Sequence, residues 1–108
     1  MNKKVILITG SNGEIGKSLI DKLSKNNTII ALDVNHNSKS NIETINGSIL
    51  DNNILNKINN KYKLSEIYHL AAVLSTKAQK NPSLSNEVNY NGTINLLCIL
   101  AAVLLLYI

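Results

Sequence analysis

The feature that most constrains this chain is Gly10-Ser11-Asn12-Gly13-Glu14-Ile15-Gly16, which joins two apolar segments of different period. Ahead of it, Lys4-Val5-Ile6-Leu7-Ile8-Thr9 is a short β-branched run with no alternation. That predicts a strand buried on both faces, as in a parallel sheet. Behind it, Ile15, Leu19, Ile20 and Leu23 share one helical face, and Asn26-Asn27 ends the helix. Gly10 permits the tight turn, Gly13 lets the backbone approach a diphosphate, and Gly16 lets the helix lie close on the strand. An anion there would meet the free N–H groups and positive end of the helix.

The rest of the chain repeats the strand–helix theme. Thr28 to Asp33 predicts a second buried strand ending in an acid, and the polar stretch from Val34 to Asn41 predicts a loop. Thr44 to Ile49 predicts a short third strand interrupted by Gly47. Asp51 is a good N-cap for a helix burying Ile54, Leu55 and Ile58 and closed by Asn59-Asn60. Glu66 to Leu70 predicts a fourth strand, and Val73 to Ser83, with the only proline (Pro82), a loop. Leu84, Val88, Gly92, Leu96, Leu100 and Leu104 then fall at four-residue steps on one face of a long helix. The order β-α-β-β-α-β-α predicts an α/β chain, a Rossmann-type parallel sheet of about four strands with helices on both faces. Fourth in such a sheet, the last strand would be left as an open edge.

Asp33 sharpens the meaning of the glycine turn. It ends the next strand, 17 residues after Gly16, close to the ~20 expected of a ribose-binding acid. Its carboxylate would accept hydrogen bonds from adenosine ribose hydroxyls and repel a 2′-phosphate, and the chain has no Arg to attract one. The expected cofactor is therefore NAD rather than NADP. The alternative is that the glycines merely make a turn and Asp33 merely ends a strand. A P-loop is excluded by spacing, because Gly10 to Gly16 is one residue too long for G-x-x-x-x-G-K-[ST], although Gly16-Lys17-Ser18 imitates its end.

Composition removes other classes. One Cys (Cys98) and two His (His36 and His69) cannot build a disulfide framework or a zinc knuckle. Cys98 reads as core filler, and His69 as a hydrogen-bonded core histidine ahead of a ligand contact. The net charge of +4 rests on 11 scattered Lys, with four Tyr that do not interleave with them. Nucleic-acid binding is not expected. With 18 Asn, 15 Ile and no Arg, the composition fits an A- and T-rich genome. The 13-residue apolar run Leu96 to Ile108 falls short of the ~20 residues of a membrane span. It is expected as a buried helix, with a membrane anchor as the alternative. The first ten residues lack a signal peptide's apolar region, so a cytoplasmic location is expected.

With these residues in view, the chain resembles the extended short-chain dehydrogenase/reductase, or NAD-dependent epimerase/dehydratase, family. Thr9 to Gly16 is similar to its cofactor signature, His69-Leu70-Ala71-Ala72 to the segment passing the cofactor, and Asn89 to Leu97 to the helix that follows. Ala72 to Pro82, with Asn89 and Gly92-Thr93, resembles the family's threonine 3-dehydrogenase branch. The resemblance implies cofactor contacts at Gly10, Ser11, Asn12, Gly13, Glu14, Ile15, Gly16, Asp33, Val34, Ser48, Ile49, Leu70, Ala71, Ala72 and Asn89, and a substrate contact at Ser75. It also implies a substrate that is threonine or a nucleotide sugar, and members that often pair as homodimers.

Two departures stand out. The family commonly holds the adenine amino group with an Asp where Gly47-Ser48-Ile49-Leu50-Asp51 places Ser48. Its catalytic Tyr, followed four residues later by Lys, finds no match: Tyr62, Tyr68 and Tyr90 are followed at that offset by Glu66, Ala72 and Ile94, and Tyr107 lies at the end. No catalytic or metal-binding residue is expected here. Residues 1–108 are expected to be a partial NAD-binding domain, lacking the catalytic pair and substrate domain and inactive as a dehydrogenase alone. A non-catalytic dinucleotide-binding module is the remaining alternative.

Overall fold

The computed structural model describes residues 3–34, 42–71, 83, 87–99 and 104–107. Its centre is a parallel sheet of β1 (Val5–Thr9), β2 (Thr28–Asp33), β3 (Glu43–Asn46), β4 (Glu66–His69) and β5 (Leu104–Tyr107), in the order β3-β2-β1-β4-β5. The helices are α1 (Glu14–Leu23), α2 (Asn52–Lys61) and α3 (Thr93–Ile99), the last continuing a π-helical stretch, Glu87–Gly92.

β1 and β2 are buried on both faces, which is why they are continuous apolar runs rather than alternating ones. Leu7, Ile30, Leu32 and Ile67 point to one face and pack with Ile49, Leu55, Ile58 and Leu96, the last three supplied by α2 and α3. Ile6, Ile8 and Ile29 point to the other face, where Leu19, Ile20 and Leu23 of α1 cover them. Alternate side chains of one strand therefore feed two separate cores.

Asp51 caps α2 as its sequence position predicts, its carboxylate accepting from Asn53 N and Ile54 N at 3.0 and 3.4 Å. α3 comes close to the segment after β3 because Gly92 has no side chain. A Cβ there would lie 2.2 Å from Ile49 Cδ1.

Several expectations are corrected. The apolar C-terminal run is not one helix: α3 stops at Ile99, and Leu104–Tyr107 forms β5, paired in parallel with β4 from Glu66↔Leu104 to His69↔Tyr107. The described residues thus form five strands, and β4 is interior rather than an open edge. The third strand is Glu43–Asn46, so Gly47 follows it instead of interrupting it. Helix α2 runs through Asn59-Asn60 to Lys61. Ile15 is 54% exposed, outside the buried face of α1.

The chain leaves β1 for β2 and β3 on one side, then returns to β4 on the other. The order reverses between β1 and β4. Open α/β sheets bind ligands at the carboxyl ends of the strands flanking such a reversal.

Candidate functional site

The turn after β1 and the turn after β4 meet at this reversal. Gly10 has φ 69°, in the left-handed region, and a Cβ on it would lie 2.7 Å from both Ala71 N and the Leu70 carbonyl carbon. Any side chain would push the two turns apart. Gly16 is equally constrained, since its Cβ would stand 2.6 Å from the Ser11 carbonyl oxygen.

Gly13 differs from both. Its backbone is extended, at φ −76° and ψ 173°, and the nearest atom to a Cβ would be the Gly10 carbonyl oxygen at an ordinary 3.5 Å. Among the described residues, packing requires glycine at 10 and 16 but not at 13. Gly13 is also the N-cap of α1 and offers no side-chain hydrogen bond to the helix's first N–H groups. Those donors and the positive helix end face the open space that Gly13 leaves. Beneath them Ser11 is fully buried, and its Oγ has no hydrogen-bond partner among the described residues. A buried hydroxyl in that condition marks a place where a ligand or water completes the structure.

Asp33 is joined to the same turn. Its Oδ2 accepts from Asn12 N at 2.9 Å, while Gly10 N donates to the Leu32 carbonyl at 2.9 Å. The acid at the end of β2 therefore fixes the turn after β1, and the two lie side by side. Val34, next along, is 70% exposed. Ser48 Oγ accepts from Leu50 N at 3.0 Å. Ile49 turns its side chain into the core and gives its carbonyl to Asn95 Nδ2 at 3.2 Å. Glu14 and Ile15 are exposed in the first turn of α1, and Asn89 is exposed in the π-helical stretch. Ala72 and Ser75 lie outside the described residues.

His69 is 5% exposed and bonded through both ring nitrogens. Nδ1 lies 2.6 Å from Thr9 Oγ1, and Nε2 lies 2.9 Å from Thr93 Oγ1. Its surroundings assign the tautomer. Thr93 Oγ1 donates to the Asn89 carbonyl at 3.0 Å, so it accepts from His69 Nε2–H. Thr9 Oγ1 accepts from Leu70 N at 3.1 Å and Ala71 N at 3.2 Å, so it donates to Nδ1. One directed string thus runs from the turn after β4, through β1 and the imidazole, to the stretch carrying Asn89. Burial holds His69 below the usual histidine range, as a neutral ring.

The histidine is a structural link, in keeping with its sequence reading. Its partners Thr9 and Thr93 carry no signal alone. The available hint was that a polar residue inside a buried strand must find partners. Among the described residues, no group of three or more metal-ligating side chains assembles, and no helix is long and apolar enough to cross a membrane.

Comparison with known proteins agrees with this architecture. Residues 6–105 match the NAD dependent epimerase/dehydratase family, to which the chain belongs. A candidate UDP-glucose 4-epimerase of Methanocaldococcus jannaschii is 37% identical over 100 residues, covering 86% of this chain and 32% of the relative. A monomeric L-threonine 3-dehydrogenase from a metagenome superposes with a TM-score of 0.80 at 38% identity, covering 87% of this chain and 32% of that one. A Bordetella bronchiseptica enzyme solved with NAD and UDP gives a TM-score of 0.82 at 25% identity, covering 94% and 36%. The chain spans about a third of the length of each of these proteins.

Proposed function

We propose that this chain is the NAD-binding portion of an oxidoreductase resembling L-threonine 3-dehydrogenase, and that residues 1–108 bind the dinucleotide without turning over substrate. The observation that carries the reading is Gly13, a glycine that neither the backbone angles nor the packing of the fold demands. A bound diphosphate supplies the demand: it needs the backbone to come close and the α1 N–H groups to be uncovered.

The remaining roles follow from position. The first turn of α1 would bind the diphosphate. Asp33, at the end of β2 and bonded to the glycine turn through Asn12 N, would accept the ribose hydroxyls, since a carboxylate takes several hydrogen bonds. The turn at Leu70-Ala71, held against Gly10 and tied to Thr9, would form the opposite wall. The cofactor, when bound, supplies a hydride acceptor. The chain's own residues bind and orient it. None of the four Tyr is followed four residues later by Lys, so in this reading the chain binds and orients the cofactor without supplying that pair as a general base.

A second substrate class has a specific support. Identity to the candidate UDP-glucose 4-epimerase, 37%, nearly equals the 38% to the threonine 3-dehydrogenase. A nucleotide sugar is therefore the alternative substrate of the whole enzyme.

Calorimetric titration with NAD tests the binding reading. Gly13→Ala is expected to weaken NAD at least about tenfold, or about 1.4 kcal/mol, and to change folding stability by less than about 1 kcal/mol. Absence of NAD binding by the native chain, or an unchanged affinity in Gly13→Ala, would refute it. NADH production from threonine by these 108 residues alone would overturn the claim of inactivity.

A further inference from the structure

We infer that Ser48 sets the base specificity of this site, making it accept a 6-oxopurine dinucleotide about as readily as the 6-aminopurine form. The inference rests on the dinucleotide reading above. The carboxyl ends of β1, β2 and β3 lie side by side in that order. If the diphosphate sits on the turn after β1 and the ribose on Asp33 at the end of β2, the base lies one strand further out. It is then against the segment that follows β3. That segment is bonded to the end of β2, with Gly47 N donating to the Asp33 carbonyl at 3.0 Å. Val34, the exposed apolar residue after Asp33, offers a surface on which a purine plane can lie.

Ser48 is the first polar side chain of that segment. Its backbone is held by Asp51 N donating to its carbonyl at 3.0 Å, and its Oγ accepts from Leu50 N at 3.0 Å. One acceptor site of the hydroxyl is occupied. Its proton has no acceptor among the described residues. The carboxylate in the same segment, Asp51, is committed to capping α2 through Asn53 N and Ile54 N. The base therefore meets a hydroxyl, which accepts from a 6-amino group or donates to a 6-oxo group. A carboxylate in this position could only accept, and would face the oxo oxygen with like charge.

The test is calorimetric titration of the native chain and Ser48→Asp with NAD and with its hypoxanthine analogue. The native dissociation constants are expected within about threefold of each other, and Ser48→Asp is expected to favour NAD by at least about tenfold. The variant should fold, because an Asp oxygen can accept from Leu50 N as Ser48 does; a urea midpoint within error of the native value checks this. Ser48→Ala, which removes the hydroxyl without adding charge, is expected to weaken both dinucleotides by similar factors. A native preference for NAD of about tenfold or more, or a Ser48→Asp ratio like the native one, overturns the inference and leaves the NAD-binding reading intact. Failure of the native chain to bind either dinucleotide overturns both.

Discussion

Replacing His69 by Leu tests the polar string at the centre of the site. The substitution removes the hydrogen bonds to Thr9 and Thr93 at a similar side-chain volume. Thr9 is fully buried and already accepts two backbone N–H groups, so its hydroxyl proton would have nowhere to go. Leaving one such donor unpaired costs about 1–3 kcal/mol. Thr93 is half-buried and keeps its bond to the Asn89 carbonyl, so its loss adds at most about 1 kcal/mol. The sum, about 1–4 kcal/mol, is a substantial part of the roughly 5–15 kcal/mol of a typical domain. Urea unfolding of native chain, His69→Leu, Thr9→Val and the double variant measures it. The double variant should cost less than the sum of the singles, because it leaves neither the Thr9 hydroxyl proton nor the His69 Nδ1 acceptor unpaired. A His69→Leu cost below about 0.5 kcal/mol, or strict additivity with Thr9→Val, would refute the assigned string.

The same histidine sets a pH dependence. Its folded-state pKa lies below the ordinary value of 6.5 because it is buried, so its contribution is complete above that pH. Stability falls as pH drops below it, by at most about 1.4 kcal/mol per pH unit, because the unfolded chain takes up a proton that the folded chain refuses. Urea unfolding between pH 7 and about 5 should reveal this slope, and His69→Gln should flatten it. Asp51→Ala removes the cap of α2 and should cost about 1 kcal/mol in the same assay. Gly92→Ala drives a methyl against Ile49 Cδ1 and should cost about 1–3 kcal/mol. Adding Ile49→Val, which removes that Cδ1 atom, should recover part of the loss.

Much of the architecture is legible in the sequence. The strand–turn–helix at Val5–Leu23, the second strand ending at Asp33 and the cap at Asp51 are local features. Each is written within a few residues by β-branching, glycine or a side-chain acceptor, and nothing distant overrode them. The misread elements lacked such a local signal. An unbroken apolar run such as Leu96–Ile108 has no period to distinguish a helix from a strand buried on both faces, so the expectation of one helix there rests on no local signal. The ladder offered by β4 decides that Leu104–Tyr107 is a strand. Spacing alone puts Ile15 on the buried face, but in the first turn of α1 it is exposed.

The candidate site divides in the same way. The sequence by itself determined which residues line the turn and which acid follows it, because the chain must bend and stop at those points. Only the tertiary structure separated the three glycines. Gly10 is demanded by the turn after β4, Gly16 by its own turn's carbonyls, and Gly13 by nothing inside the described fold. Tertiary structure likewise joined Thr9, His69 and Thr93, residues up to 84 positions apart in the chain. Pairing β1 with β4 placed their polar side chains where low dielectric leaves no alternative to bonding one another. Backbone bends are local in origin. Which buried polar group meets which is settled only when strands distant in sequence lie side by side.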